Sequence, residues 1–91
     1  MNNSIQMPSR EEVIKRTIKL VKTYVPKLAD QNINEDSIIN TDMNVDSMEF
    51  IYVMVKIESE FHISVPQKKW DRMKTVKDVV DSIMRELKKA K

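Results

Sequence analysis

The chain has no cysteine and no glycine, only three prolines and a single histidine. Without cysteine there is no disulfide, no thiolate metal site and no catalytic thiol. Without glycine neither a Walker-type nor a dinucleotide-type phosphate loop can be built. The lone histidine, His62, excludes a two-histidine metal site and leaves any serine–histidine pair to this one residue. It follows Phe61 at the end of a helical pattern, where a capping or loop role is the simpler account. Long apolar runs are missing as well. Val53-Met54-Val55 is far too short to span a bilayer, and Met1 to Ser9 lack the apolar stretch of a secretory signal. The expectation is a cytoplasmic protein that uses no membrane and has no catalytic constellation of its own.

What is present suits one small domain. Ninety-one residues leave no room for a second core, and a chain this short buries roughly 60% of its unfolded surface. With 41% hydrophobic and 33% charged residues, the composition is that of a folded globular protein rather than a disordered one. The net charge of +2, with basic residues read as dispersed, argues against nucleic acid as a partner. Lys88, Lys89 and Lys91 cluster at the C-terminus, where positive charge complements the negative pole of a helix. The expected organisation is a flexible tail over residues 1–8, a folded monomeric domain over 9–88 and a basic end over 89–91.

Hydrophobic spacing predicts an all-α bundle of three main helices and one short one. Ser9-Arg10-Glu11-Glu12 has the form of a capping box. Val13, Ile14, Thr17, Ile18, Val21 and Tyr24 follow at helical spacing, and Pro26 supplies a stop, which gives a first helix over about 10–24. From Pro26 to Val45 nothing is periodic, but Leu28, Ile33, Ile38, Ile39 and Met43 offer apolar anchors for a long loop. Phe50, Met54, Ile57 and Phe61, widened by Ile51 and Val55, mark a second helix from about Ser47 to Glu60. Gln67 to Arg72 reads as a short helix with Trp70 as its buried face. Thr75-Val76-Lys77-Asp78 then caps a last helix carrying Val76, Val79, Val80, Ile83, Met84 and Leu87.

Chemistry concentrates at Asn44-Val45-Asp46-Ser47-Met48. The Asp-Ser pair occurs three times in the chain, so the dipeptide itself decides nothing. Asp36-Ser37 lies in the loop, and Asp81-Ser82 falls in mid-helix. Only Asp46-Ser47 combines a long loop, a helix start and a following apolar stripe. The free N–H groups and positive pole of a helix start favour an attached or bound phosphate. On spacing alone, two readings stand: a serine that is modified, or one that merely begins its helix.

The stretch from Asp46 to Pro66, with Asp-Ser-Met, a helix rich in Val, Met and Ile ending in Glu-Ser-Glu-Phe, and Ile-Ser-Val-Pro after it, resembles an acyl carrier protein. Thr75-Val76-Lys77-Asp78-Val79-Val80 is similar to the start of that family's last helix. His62 and Asn44 stand where glycine is usual; Asn tolerates left-handed backbone geometry. The resemblance implies a carrier rather than an enzyme, with 4′-phosphopantetheine attached to Ser47 by a phosphopantetheinyl transferase. The arm's thiol then holds an acyl or aminoacyl group as a thioester.

By the same resemblance Asp46 would help recruit the transferase and its metal. Met48, Ile51 and Val55 would lie near the arm, with Glu49 and Tyr52 among the partner contacts. A lipid chain would tuck against Phe50, Met54, Ile57, Val80 and Ile83. Partners would be acyl-activating, acyltransferase or synthase enzymes of fatty acid, polyketide or related pathways. Tyr52 and Ser59 occupy places where acidic residues are frequent, and Lys56 adds a positive charge, which implies a specialised carrier with a dedicated enzyme. The rival reading is a small helical protein-interaction domain without a prosthetic group, docking through Met48 and Tyr52.

Overall fold

A computed structural model describes residues 7–39 and 47–89. Helix α1 spans Arg10–Tyr24, α2 Ser47–Phe61 and α3 Val76–Lys89, with 3₁₀ segments at Pro26–Leu28 and Gln67–Arg72. The expected all-α plan holds, and its fourth helical element takes the tighter 3₁₀ form. Two features are more ordered than the sequence implies. Pro26 does not simply stop α1 but opens a 3₁₀ turn, at the helix-start position where its missing N–H costs nothing. The long loop also folds on itself: Asn34 Oδ1 accepts the Asp36 N–H at 2.8 Å, and the Ser37 hydroxyl accepts the Asn34 N–H at 2.9 Å.

Each helix is amphipathic in the way its sequence requires. Ser9 caps α1, its Oγ accepting the Glu12 N–H at 3.1 Å, and Val13, Thr17 and Val21 follow on the buried side. Helix α2 buries Phe50, Val53, Met54, Ile57 and Phe61, while α3 buries Val76, Val79, Val80 and Ile83. These residues share one core with Ile39, Val65, Trp70 and Met73. Trp70 is 6% exposed and donates its indole N–H to the Val65 carbonyl at 3.1 Å, so the buried indole has its polar atom satisfied.

The start of α3 holds the long loop in place. Val76 and Lys77 donate their N–H groups to the carbonyls of Ser37 and Glu35, at 3.1 and 2.9 Å. Asp78 N–H goes to the Thr75 hydroxyl at 3.2 Å, and Val79 N–H to the Thr75 carbonyl. The donors of the first turn, Val76, Lys77 and Asp78, are thereby accounted for, two of them by the loop, and the Val79 bond is the first of the helix's own ladder. Ile39 N–H returns to the Lys74 carbonyl at 2.7 Å, and Ile38 forms an antiparallel bridge with Thr75. Ile39 is the anchor expected of the loop, and Leu28 and Ile33 pack against the core. Ile38 is not: its side chain is 54% exposed, because bridging through the backbone turns successive side chains to opposite faces. Met43 lies outside the described residues.

Capping is reciprocal at Thr75. The Asp78 carboxylate accepts the N–H groups of Lys74 and Thr75 at 2.9 and 3.1 Å, which completes a capping box with Asp in the third position. Partial burial pushes this carboxyl upward, but the two N–H groups, the Thr75 hydroxyl and the Lys77 charge outweigh burial and hold it below its ordinary value. At Ser9 the box is half formed: among the described residues no bond returns from the Glu12 side chain.

At the other end of α2, His62 takes φ 56°, in the left-handed region. The Ile63 N–H then reaches the Glu58 carbonyl at 3.1 Å, the long bond of a Schellman stop. Glycine, the residue that the resemblance leads one to expect at this position, adopts such geometry without strain. His62→Gly removes a left-handed penalty of roughly 1–2 kcal/mol but loosens the unfolded chain, for a net gain of about 0.5–1 kcal/mol. The expected readout is a higher urea midpoint at unchanged slope. A lower midpoint would mean that the imidazole makes a contact worth more than the strain.

Candidate functional site

Ser47 is the first residue of α2, as its sequence position predicts. The backbone therefore presents N–H groups without intrahelical partners, together with the positive end of a 15-residue helix. Asp46, with Asn44 and Val45, lies outside the described residues. Beyond Ser47 the helix turns a row of large apolar side chains outward. Met48 is 71% exposed, and Ile51, Tyr52 and Val55 lie between 41 and 49%. They recur at three- and four-residue spacing, so they form one stripe opposite the buried face.

The remaining expected contacts are divided by burial. Phe50, Met54 and Ile57 sit in the core with Val80 and Ile83, all at most 4% exposed. A lipid chain could contact them only by parting the helices. Glu49, expected as a partner contact, is half-buried, and its Oε1 is buried without a hydrogen-bond partner. It is thus less available to another protein than its place beside Met48 implies.

Two further residues complete this surface, of which Lys56 was legible by its charge and Tyr24 was not. Tyr24, at the end of α1, meets Tyr52 edge to face with centroids 5.1 Å apart. Lys56 places its ammonium 5.5 Å from the Tyr24 ring and 5.2 Å from the Tyr52 ring. The four-residue step from Tyr52 to Lys56 was the available signal; the partnership with Tyr24 needs the α1–α2 packing. Elsewhere on α2 the acids are engaged. Arg16 binds Glu60 at 2.6 Å and lies 4.6 Å above the Phe61 ring, and Glu58 accepts the Val65 N–H at 2.8 Å. Those pairs are partly exposed and fix geometry more than they add stability. The stripe is consequently apolar, with one cation at its side.

Among the described residues no three His, Cys, Asp or Glu side chains gather to hold a metal, and no helix is long and apolar enough to cross a membrane. What the described residues offer is a serine at a helix start, followed by an exposed apolar surface along which a flexible group could lie.

Known proteins with similar sequences are acyl carrier proteins. The chain is 35% identical over 77 residues to the acyl carrier protein of Porphyromonas gingivalis, covering 85% of this chain and 97% of that one. It is 31% identical over 77 residues to the acyl carrier protein of Rickettsia bellii, covering 85% and 88%. The mitochondrial acyl carrier protein of Saccharomyces cerevisiae is 32% identical over 78 residues, 82% of this chain and 62% of that protein's length. No protein-family profile matches the chain. A non-enzymatic carrier is the class to which these relatives assign the chain. The chain belongs to the acyl carrier protein family, whose members carry 4′-phosphopantetheine covalently on a serine. Relatives include mitochondrial and chloroplastic proteins beside bacterial ones, so the expected cytoplasmic location is not general to the family.

Proposed function

We propose that Ser47 is the attachment serine and that this carrier serves a dedicated partner enzyme rather than the general machinery of fatty acid synthesis. The observation that carries the first part is the position of Ser47 at the start of α2, next to the exposed stripe of Met48, Ile51 and Val55. The fit to the prosthetic group is good on these grounds: the helix start favours its phosphate, and the stripe offers apolar surface to the arm. When attached, the arm supplies a thiol that holds the acyl group as a thioester. The chain's own residues position it. Helix α2 orients the attachment point, and the start of α3 holds the loop through Ser37 and Glu35; the family resemblance gives Asp46 the part of recruiting the transferase.

The second part rests on charge. A partner that docks through a basic patch needs acids on the carrier's second helix. Here Glu58 and Glu60 are engaged within the chain, and Lys56 sits among the tyrosines. A partner with an apolar docking surface, in an acyl- or aminoacyl-transferring enzyme, matches that stripe better. The cargo is a small acyl or aminoacyl group where the core stays closed, or a lipid chain where Phe50, Met54 and Ile57 part.

The test is intact mass after incubation with coenzyme A, magnesium and a broad-specificity phosphopantetheinyl transferase. The parent should gain one phosphopantetheine and Ser47→Ala none, with both proteins equally helical by circular dichroism. A folded parent that gains nothing would overturn the assignment and leave an interaction domain in its place.

A further inference from the structure

The positive charge of this chain is not spread evenly. Residues 67–91 hold nine Lys and Arg against four Asp and Glu, whereas residues 1–66 hold seven against ten. Along the sequence these basic residues look dispersed, but the fold gathers several of them at one cleft. The cleft lies between the 3₁₀ segment Gln67–Arg72 and α3, with a volume of about 280 Å³. Lys69 and Arg72 line it from the first element, Arg85 and Ser82 from the second.

The two carboxylates in the same lining are already committed. Asp81 binds Arg10 at 2.8 Å, and Asp78 accepts the Lys74 and Thr75 N–H groups. Lys69, Arg72 and Arg85 pair with no carboxylate among the described residues. Three cations that pair with no carboxylate among the described residues therefore line a concave surface whose described acids are turned to other work. Such a cluster costs self-repulsion unless an anion occupies it.

We propose that this cleft is an anion site that takes a phosphate or phosphodiester group. Three cations call for more than one negative charge, which a phosphate carries and a single carboxylate does not. Two arginines also present planar donor forks that match phosphate oxygens bidentately, with lysine as a point charge beside them. The cleft's concavity suits a small group on a headgroup or free compound. The site is formed by α3 and the 3₁₀ segment, so it does not depend on the modification of Ser47.

The experiment is a titration of the unmodified, full-length chain with sodium pyrophosphate at constant ionic strength, followed by ¹H–¹⁵N spectra. Saturable shifts should localise to residues 69–72 and 82–85. The double variant Arg72→Gln/Arg85→Gln should bind roughly tenfold more weakly or less, given the strength of charge-assisted hydrogen bonds. Lys88→Gln, a cation outside the cleft, should bind as the parent does. Shifts that match a sodium chloride control, or that persist unchanged in the double variant, would overturn the site. A second arm compares sedimentation with phosphatidylglycerol and phosphatidylcholine vesicles. Capture by the first alone, lost in the double variant, identifies a lipid headgroup as the source. Saturable pyrophosphate binding without capture identifies a free phosphate compound.

Discussion

Trp70→Ala is expected to lower the unfolding free energy by about 3–5 kcal/mol. The indole is the largest side chain available to the core and is 6% exposed, within a cluster that includes Val65, Met73 and residues of all three helices. Truncation removes its buried apolar area and leaves a cavity that a 3₁₀ segment of only six residues has little means to refill. It also strands the Val65 carbonyl, which now accepts the indole N–H at 3.1 Å. Total stability for small domains is on the order of 5–15 kcal/mol, and this one is near the small end in size. Urea unfolding followed by circular dichroism measures the effect. A loss below about 1 kcal/mol would mean that the segment carries little of the core's stability. Trp70→Phe separates the two causes, since it restores most of the packing but not the hydrogen bond.

Ile57→Ala should cost about 2–5 kcal/mol by the same measurement. Ile57 is fully buried in the middle of α2, and the cluster around it contains Met54, Val80 and Ile83. Val55, two residues away on the same helix, is 46% exposed, and Val55→Ala should fall within about 0.5 kcal/mol of the parent. That contrast is the sharper result. Equal losses at the two positions would mean that α2 is rotated from the orientation described, with the apolar stripe inside the bundle. An outcome as expected leaves Met48, Ile51, Tyr52 and Val55 as surface, and their function as contact.

These four residues show where sequence reasoning worked and where it stopped. The periodicity of α2 is nearly continuous, so both faces look apolar in the sequence. Helical spacing picks out Phe50, Met54, Ile57 and Phe61, but it also counts Ile51 and Val55 as a widening of that buried face, whereas the structure turns both outward, 41 and 46% exposed. It could not tell that Glu49 would sink halfway into the protein, because that depends on what packs beside the helix start. Ser47 was legible for a local reason: helix starts are written in short-range capping and loop patterns. Asp46, beyond the described residues, stays an expectation carried by the family resemblance. The cleft at Lys69, Arg72 and Arg85 was illegible, since its cations come from two elements whose angle no sequence period encodes.

The sequence alone determined the three helices, their buried faces, the cap at Thr75 and the serine at the start of α2. Each of these follows from residues within a few turns of one another. Tertiary structure decided the rest. It set the long loop against the start of α3 by giving Val76 and Lys77 carbonyl partners at Ser37 and Glu35, turned Ile38 outward, and joined Tyr24 to Tyr52 and Lys56. Helical periodicity assigns a face to each residue, but only packing gives that face a neighbour.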